Sequence, residues 1–143
     1  MENISRRTAM SGALSVLMVL AAGCTPRSDQ SAVQAALQST LGAVPGYVDG
    51  TIQYQDGPSS GTTISAVLAV TATDRDGTAD VLKSVLEAVV RTYIDQPDVR
   101  TAFVRISASP EGDQSVHVDT ADIVPPSEGA NATTDDVASH FML

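Results

Sequence analysis

The chain is predicted to fold as an α+β two-layer sandwich. The expected core is a four-stranded antiparallel sheet with two helices on one face, in the order α-β-β-α-β-β, followed by a short C-terminal helix. Three stretches carry this reading. "DRDGTADVLKSVLEAVVRTYIDQP" has the apolar stripe of an amphipathic helix, "TISAVLAVTAT" alternates as a strand does, and "QDGPSSGTT" before it has the residues of a tight turn.

The elements follow in order. Val33, Ala36, Leu37 and Leu41 recur at helical spacing after Asp29 and Ser31, either of which can cap the start, and Gly42 with Pro45-Gly46 ends the helix. Val48, Ile52 and Tyr54 alternate as a first strand. After the Gly-Pro turn, Ile64, Ala66, Leu68 and Val70 line one face of a second strand, closing a hairpin. The long helix has Thr78 as a candidate cap, Asp80 complementing its dipole, a stripe of Val81, Leu82, Val85, Leu86, Val89 and Ile94, and Pro97 as its stop. Ala102, Val104 and Ile106 make a third strand. "SPEGDQ" turns the chain into a fourth, which begins at Val116 and Val118 and runs towards Ile123. Asp135 to Phe141 form a short helix capped by Thr133 or Thr134. Both main helices on one sheet face would bury every apolar stripe. The set of elements resembles that of ferredoxin-like sandwiches, a likeness of fold that carries no function.

The one cysteine places the protein. Arg6 and Arg7 precede an apolar stretch of roughly 14 residues, which is short of the ~20 that span a bilayer and matches a secretory signal. Leu20-Ala21-Ala22-Gly23-Cys24 resembles the lipobox of bacterial lipoproteins. The resemblance implies a diacylglyceryl group on Cys24, removal of residues 1–23, and residence at the extracytoplasmic face of the cell membrane. Two acyl chains, at ~0.8 kcal/mol per buried methylene, suffice for stable anchoring. Ser5-Arg6-Arg7-Thr8 also resembles a twin-arginine export signal. The expected organisation is a signal peptide over 1–23, a lipidated cysteine and tether over 24–31, the α+β domain over 32–124, and a loop with the tail helix over 125–143. With Cys24 lipidated, no thiol remains for disulfides, metals or nucleophilic catalysis.

Charge and composition exclude other classes. Of 17 acidic and 8 basic residues, Glu2, Arg6 and Arg7 leave with the signal; the mature chain keeps 16 against 6, a net charge of −10. Such a surface repels nucleic acid and anionic headgroups. Trp is absent and aromatics make up 3% of the chain, too few for a sugar-stacking platform. No Gly-rich phosphate loop or Cys-based metal site is present, and Ser59-Ser60-Gly61, which follows Pro58, belongs to a hairpin turn and not to the strained Gly-x-Ser-x-Gly elbow that a Ser hydrolase needs. Asp74, Asp76 and Asp80 around Gly77 open like a calcium loop, but no bidentate Glu follows in register.

Two candidate sites remain. His117, Asp119 and Asp122 in "SVHVDTAD" are the residues a small metal-binding protein or enzyme would use, His117 and Asp119 sharing one strand face. Val67, Phe103 and Arg105 fall on the sheet side away from the helices, a candidate docking face, since aromatics and Arg are favoured at interface centres. Val137 and Phe141 of the tail are the one part of this chain left to cover that face. The expected function is a non-catalytic binding or assembly module of the cell envelope without a cofactor, tethered through Cys24 and docking an envelope protein. The alternative is the metal-binding protein or enzyme.

Overall fold

A computed structural model describes residues 27–143. The expected signal peptide over 1–23 and the expected lipid site Cys24 lie outside the described residues.

Helix α1 (Gln30–Gly42) buries Val33, Leu37 and Leu41, one residue per turn on a single stripe. Asp29 is its cap, the carboxylate accepting the Ala32 N–H at 3.1 Å. Just before it, the Ser28 hydroxyl is hydrogen-bonded to the Tyr54 hydroxyl at 2.7 Å and to Asp56 at 3.3 Å. The first strand of the sequence reading is two short strands, β1 (Tyr47–Asp49) and β2 (Gln53–Gly57), which lie end to end along β3 (Gly61–Val70), both antiparallel to it. Gly50 makes the break between them. Its φ is +119°, and a Cβ there would stand 2.4 Å from the Val67 carbonyl oxygen, so only glycine fits.

Helix α2 (Arg75–Ile94) starts earlier than Thr78. Its cap is Asp74, whose Oδ1 accepts the Gly77 N–H at 2.7 Å, and Thr78 is buried inside the first turn with its hydroxyl on the Asp74 carbonyl. A cap needs an extended backbone ahead of the helix, which Asp74 has at φ −129°, ψ 174°. The helix buries Leu82, Val85, Leu86, Val89, Val90 and Tyr93. Burial and the neighbouring Tyr54 push the Tyr93 phenol above its ordinary pKa, and its O–H donates to the Arg100 carbonyl at 2.6 Å.

The antiparallel four-stranded sheet is overturned. The sheet is five-stranded and mixed, and the described residues hold four helices. β4 (Phe103–Pro110) runs parallel to β3 over eight residue pairs, from Thr63–Phe103 to Val70–Pro110. The long helix is the reason: α2 carries the chain back along the sheet, so the strand after it starts at the same end as the strand before it. The order across the sheet is β1 and β2, then β3, β4 and β5 (Val118–Asp119). This parallel centre also removes the ferredoxin-like analogy, which needs an antiparallel sheet. β5 keeps only two residues, antiparallel to Ser107–Ala108, because Thr120–Ile123 turns into a short helix, α3. Helix α4 (Thr134–Phe141), capped by Thr133, packs against α2 with Val137 fully buried. It therefore joins the helical layer and leaves the opposite sheet face bare.

Side chains, with one loop carbonyl, occupy parts of both sheet edges. On the β2 side, the Gln38 amide oxygen accepts the Ile52 N–H at 2.9 Å and that of Gln34 accepts the Tyr54 N–H at 2.7 Å, while the Gln34 amide N–H donates to the Ile52 carbonyl. On the β4 side, the buried Thr120 hydroxyl accepts from the Ile106 N–H at 3.0 Å and donates to the Ile106 carbonyl at 2.8 Å. The buried Thr134 hydroxyl accepts the Ala102 N–H at 3.1 Å, and the Val104 N–H reaches the Ala132 carbonyl at 2.9 Å. Unpaired strand edges template association with other chains; at these positions they are occupied.

Candidate functional site

Alternation along β3 and β4 sorts their residues. Ile64, Ala66, Leu68, Val104, Ile106 and Ala108 face the helices and are buried. Their neighbours in sequence face the other way, where no layer among the described residues covers them. On this bare face Val67 is 75% exposed and Phe103 41%. Arg105 stands between Phe103 and Ser107 on β4, beside Ser65 of β3.

The face carries two grooves. The first, of about 620 Å³, runs across the middle of the sheet and is lined by Gln53, Ser65, Arg105, Ser107, Asp119 and Asn131, among others. The second, of about 530 Å³, lies towards the far ends of β3 and β4 and includes Asp49, Ser109, Gly112 and His117. Val67 lines both and separates them. Phe103 lines neither; it stands beside the hairpin turn, where its ring edge would lie 3.9 Å from a Cβ on Gly61.

The electrostatics of this face differ from those of the molecule. Among the described residues, Arg75, Lys83 and Arg91 each pair with a carboxylate, at 3.4, 3.6 and 3.0 Å. Arg27, Arg100 and Arg105 have no carboxylate of the described residues within 4.0 Å, and of these only Arg105 lines either groove.

The metal trio is only partly assembled. His117 Nε2 meets Asp119 Oδ1 at 2.8 Å, with both side chains about half exposed. Asp122 is engaged elsewhere: its Oδ2 accepts the Asp119 N–H at 2.9 Å at the start of α3 and pairs with Arg75. Arg75 also donates to the His117 carbonyl at 2.7 Å, so it clasps this segment to the first turn of α2. No group of three or more His, Cys, Asp or Glu residues that could hold a metal ion occurs among the described residues, which weighs against the metal-binding reading.

Sequence reasoning reached Val67, Phe103 and Arg105 through strand alternation. It put Ser65 on the same strand face as Val67 without making it part of the site, and it passed over Ser107, which obeys the same alternation, and over Gln53 and Asn131, which come from other elements. No family model, no curated protein and no solved structure matches this chain. No helix among the described residues is long and apolar enough to cross a membrane.

Proposed function

We propose that this protein is a lipoprotein anchored through Cys24 at the extracytoplasmic face of the cell membrane, where it serves as a non-catalytic binding or assembly module of the cell envelope and docks its partner on the bare sheet face. The anchor rests on the lipobox-like Leu20 to Cys24. The docking face rests on one observation: parts of both sheet edges are occupied and one face is covered by helices, while the other exposes Val67, Phe103 and two grooves. Only four residue-to-residue steps, across the three residues 25–27, separate Cys24 from Ser28, which is tied to Tyr54 and Asp56. At ~3.3 Å per residue that leash reaches about 13 Å, so the β2–β3 end of the domain stays close to the lipid.

The test uses cells that export the full chain. The protein should partition with membranes and carry lipid mass on Cys24, and Cys24→Ala should release it or leave the signal uncut. Cross-linking in intact cells should capture an envelope protein, and Val67→Ser with Phe103→Ser should weaken that capture while the melting temperature stays close to that of the unaltered chain. A mature, soluble protein with unmodified Cys24 refutes the anchor. Undiminished cross-linking of the doubly substituted protein refutes the face.

A further inference from the structure

We propose that the groove beside Arg105 binds the free C-terminal carboxylate of an extended peptide. The inference rests on the bare sheet face being the working surface and names its ligand.

The register aligns the polar side chains into two rungs across the sheet. Gln53 pairs with Ser65, and Ser65 pairs with Arg105, so an amide, a hydroxyl and a guanidinium lie side by side on three strands. The next rung along the same face is Val67, Ser107 and Asp119. Two residues of strand separate the rungs, about 7 Å. The groove thus has a cationic pole rich in donors and, one rung further, an acceptor pole at Asp119, a carboxylate steadied by His117 at 2.8 Å.

This polarity suits a peptide terminus. A planar carboxylate takes two parallel hydrogen bonds from a guanidinium, with Ser65 and Gln53 as further donors. An extended chain rises by about 3.3 Å per residue, so the backbone N–H groups that follow the terminal carboxylate reach the Asp119 rung within two residues. On that rung Val67 offers an apolar contact, and past it the second groove of about 530 Å³ continues the path.

Charge selects a monoanion over a phosphate dianion. Arg105 is the one cation lining this groove and has no carboxylate partner among the described residues, and the mature chain carries a net charge of −10. The cost of desolvating an anion rises as the square of its charge, whereas its attraction to a single guanidinium rises only in proportion, so a dianion gains less from this groove.

The experiment titrates the detergent-solubilised full chain with tetraalanine, following backbone amides and the Arg105 Nε resonance by NMR. Tetraalanine with a free carboxylate should shift Ser65, Arg105 and Ser107 saturably. Its C-terminally amidated form, and the Arg105→Gln protein, should bind at least about tenfold more weakly, as expected for losing a hydrogen-bonded charge. An unchanged melting temperature of Arg105→Gln shows that the loss is not unfolding. Equal binding of the amidated peptide, acetate binding as tightly as the peptide, tighter binding of inorganic phosphate, or no shifts at all each overturn the proposal. The cross-linking of the Val67 and Phe103 variants reports separately on the docking face. If their capture falls while tetraalanine leaves the spectrum unchanged, the peptide-terminus proposal alone is wrong.

Discussion

Thr120 offers a sharp test of how the β4 edge is held. Its side chain is 3% exposed, and its one hydroxyl serves both backbone groups of Ile106, accepting at 3.0 Å and donating at 2.8 Å. Thr120→Val keeps the shape and removes both bonds. Each buried backbone group left without a partner costs about 1–3 kcal/mol, so the two together cost about 2–6. The new methyl recovers about 0.8 kcal/mol through apolar burial. The polar loss wins, and the net destabilisation is about 1–5 kcal/mol. Thr120→Ser retains the hydroxyl and loses one methyl, about 0.8 kcal/mol. Urea unfolding of the full chain and its two variants should therefore rank wild type, then Ser, then Val. A Val variant as stable as the Ser variant would mean that the Ile106 groups find other partners, and the side-chain closure of this edge would be refuted.

Two further perturbations probe the backbone and the tail. Gly50→Ala forces a side chain into φ +119° and against the Val67 carbonyl; strain of this kind costs about 1–3 kcal/mol, and a melting temperature equal to wild type would disprove the β1–β2 break. Asp136 accepts the Thr133 N–H at 2.9 Å at the start of α4, and its hydrogen bonds, that from the Ser127 hydroxyl first, hold its carboxyl below the usual carboxylate range. A depressed carboxyl stabilises the fold above its unfolded pKa, and that contribution is lost as pH falls through the folded value. Asp136→Asn should lower the melting temperature at neutral pH, and the gap to wild type should close below about pH 4; a gap constant with pH would remove this role.

Much of the site was legible because alternation is local. Val67 and Arg105 follow from counting along two strands whose other residues, Ile64, Leu68, Val104 and Ile106, are plainly core. The grooves were not legible, since Gln53, Asp119 and Asn131 reach them from segments remote in sequence and join them only through strand pairing. Asp122 shows the opposite error. Adjacency in "HVDTAD" suggested a shared ligand, but the turn at Thr120 brings Asp122 to Arg75 and to the Asp119 N–H instead.

Periodicity by itself determined the helical stripes of Leu37 and Leu86, the hairpin around Gly57 to Gly61, and which faces of β3 and β4 are apolar, because each depends on residues within a few positions of one another. Only the tertiary structure decided that β4 lies parallel to β3, that α4 joins the helical layer, and that Gln34, Gln38, Thr120 and Thr134 stand in for missing strands. A threonine bonded to a distant backbone has the same local pattern as one bonded to water. The choice between them is made by packing, when burial removes the water and leaves the strand edge needing a partner.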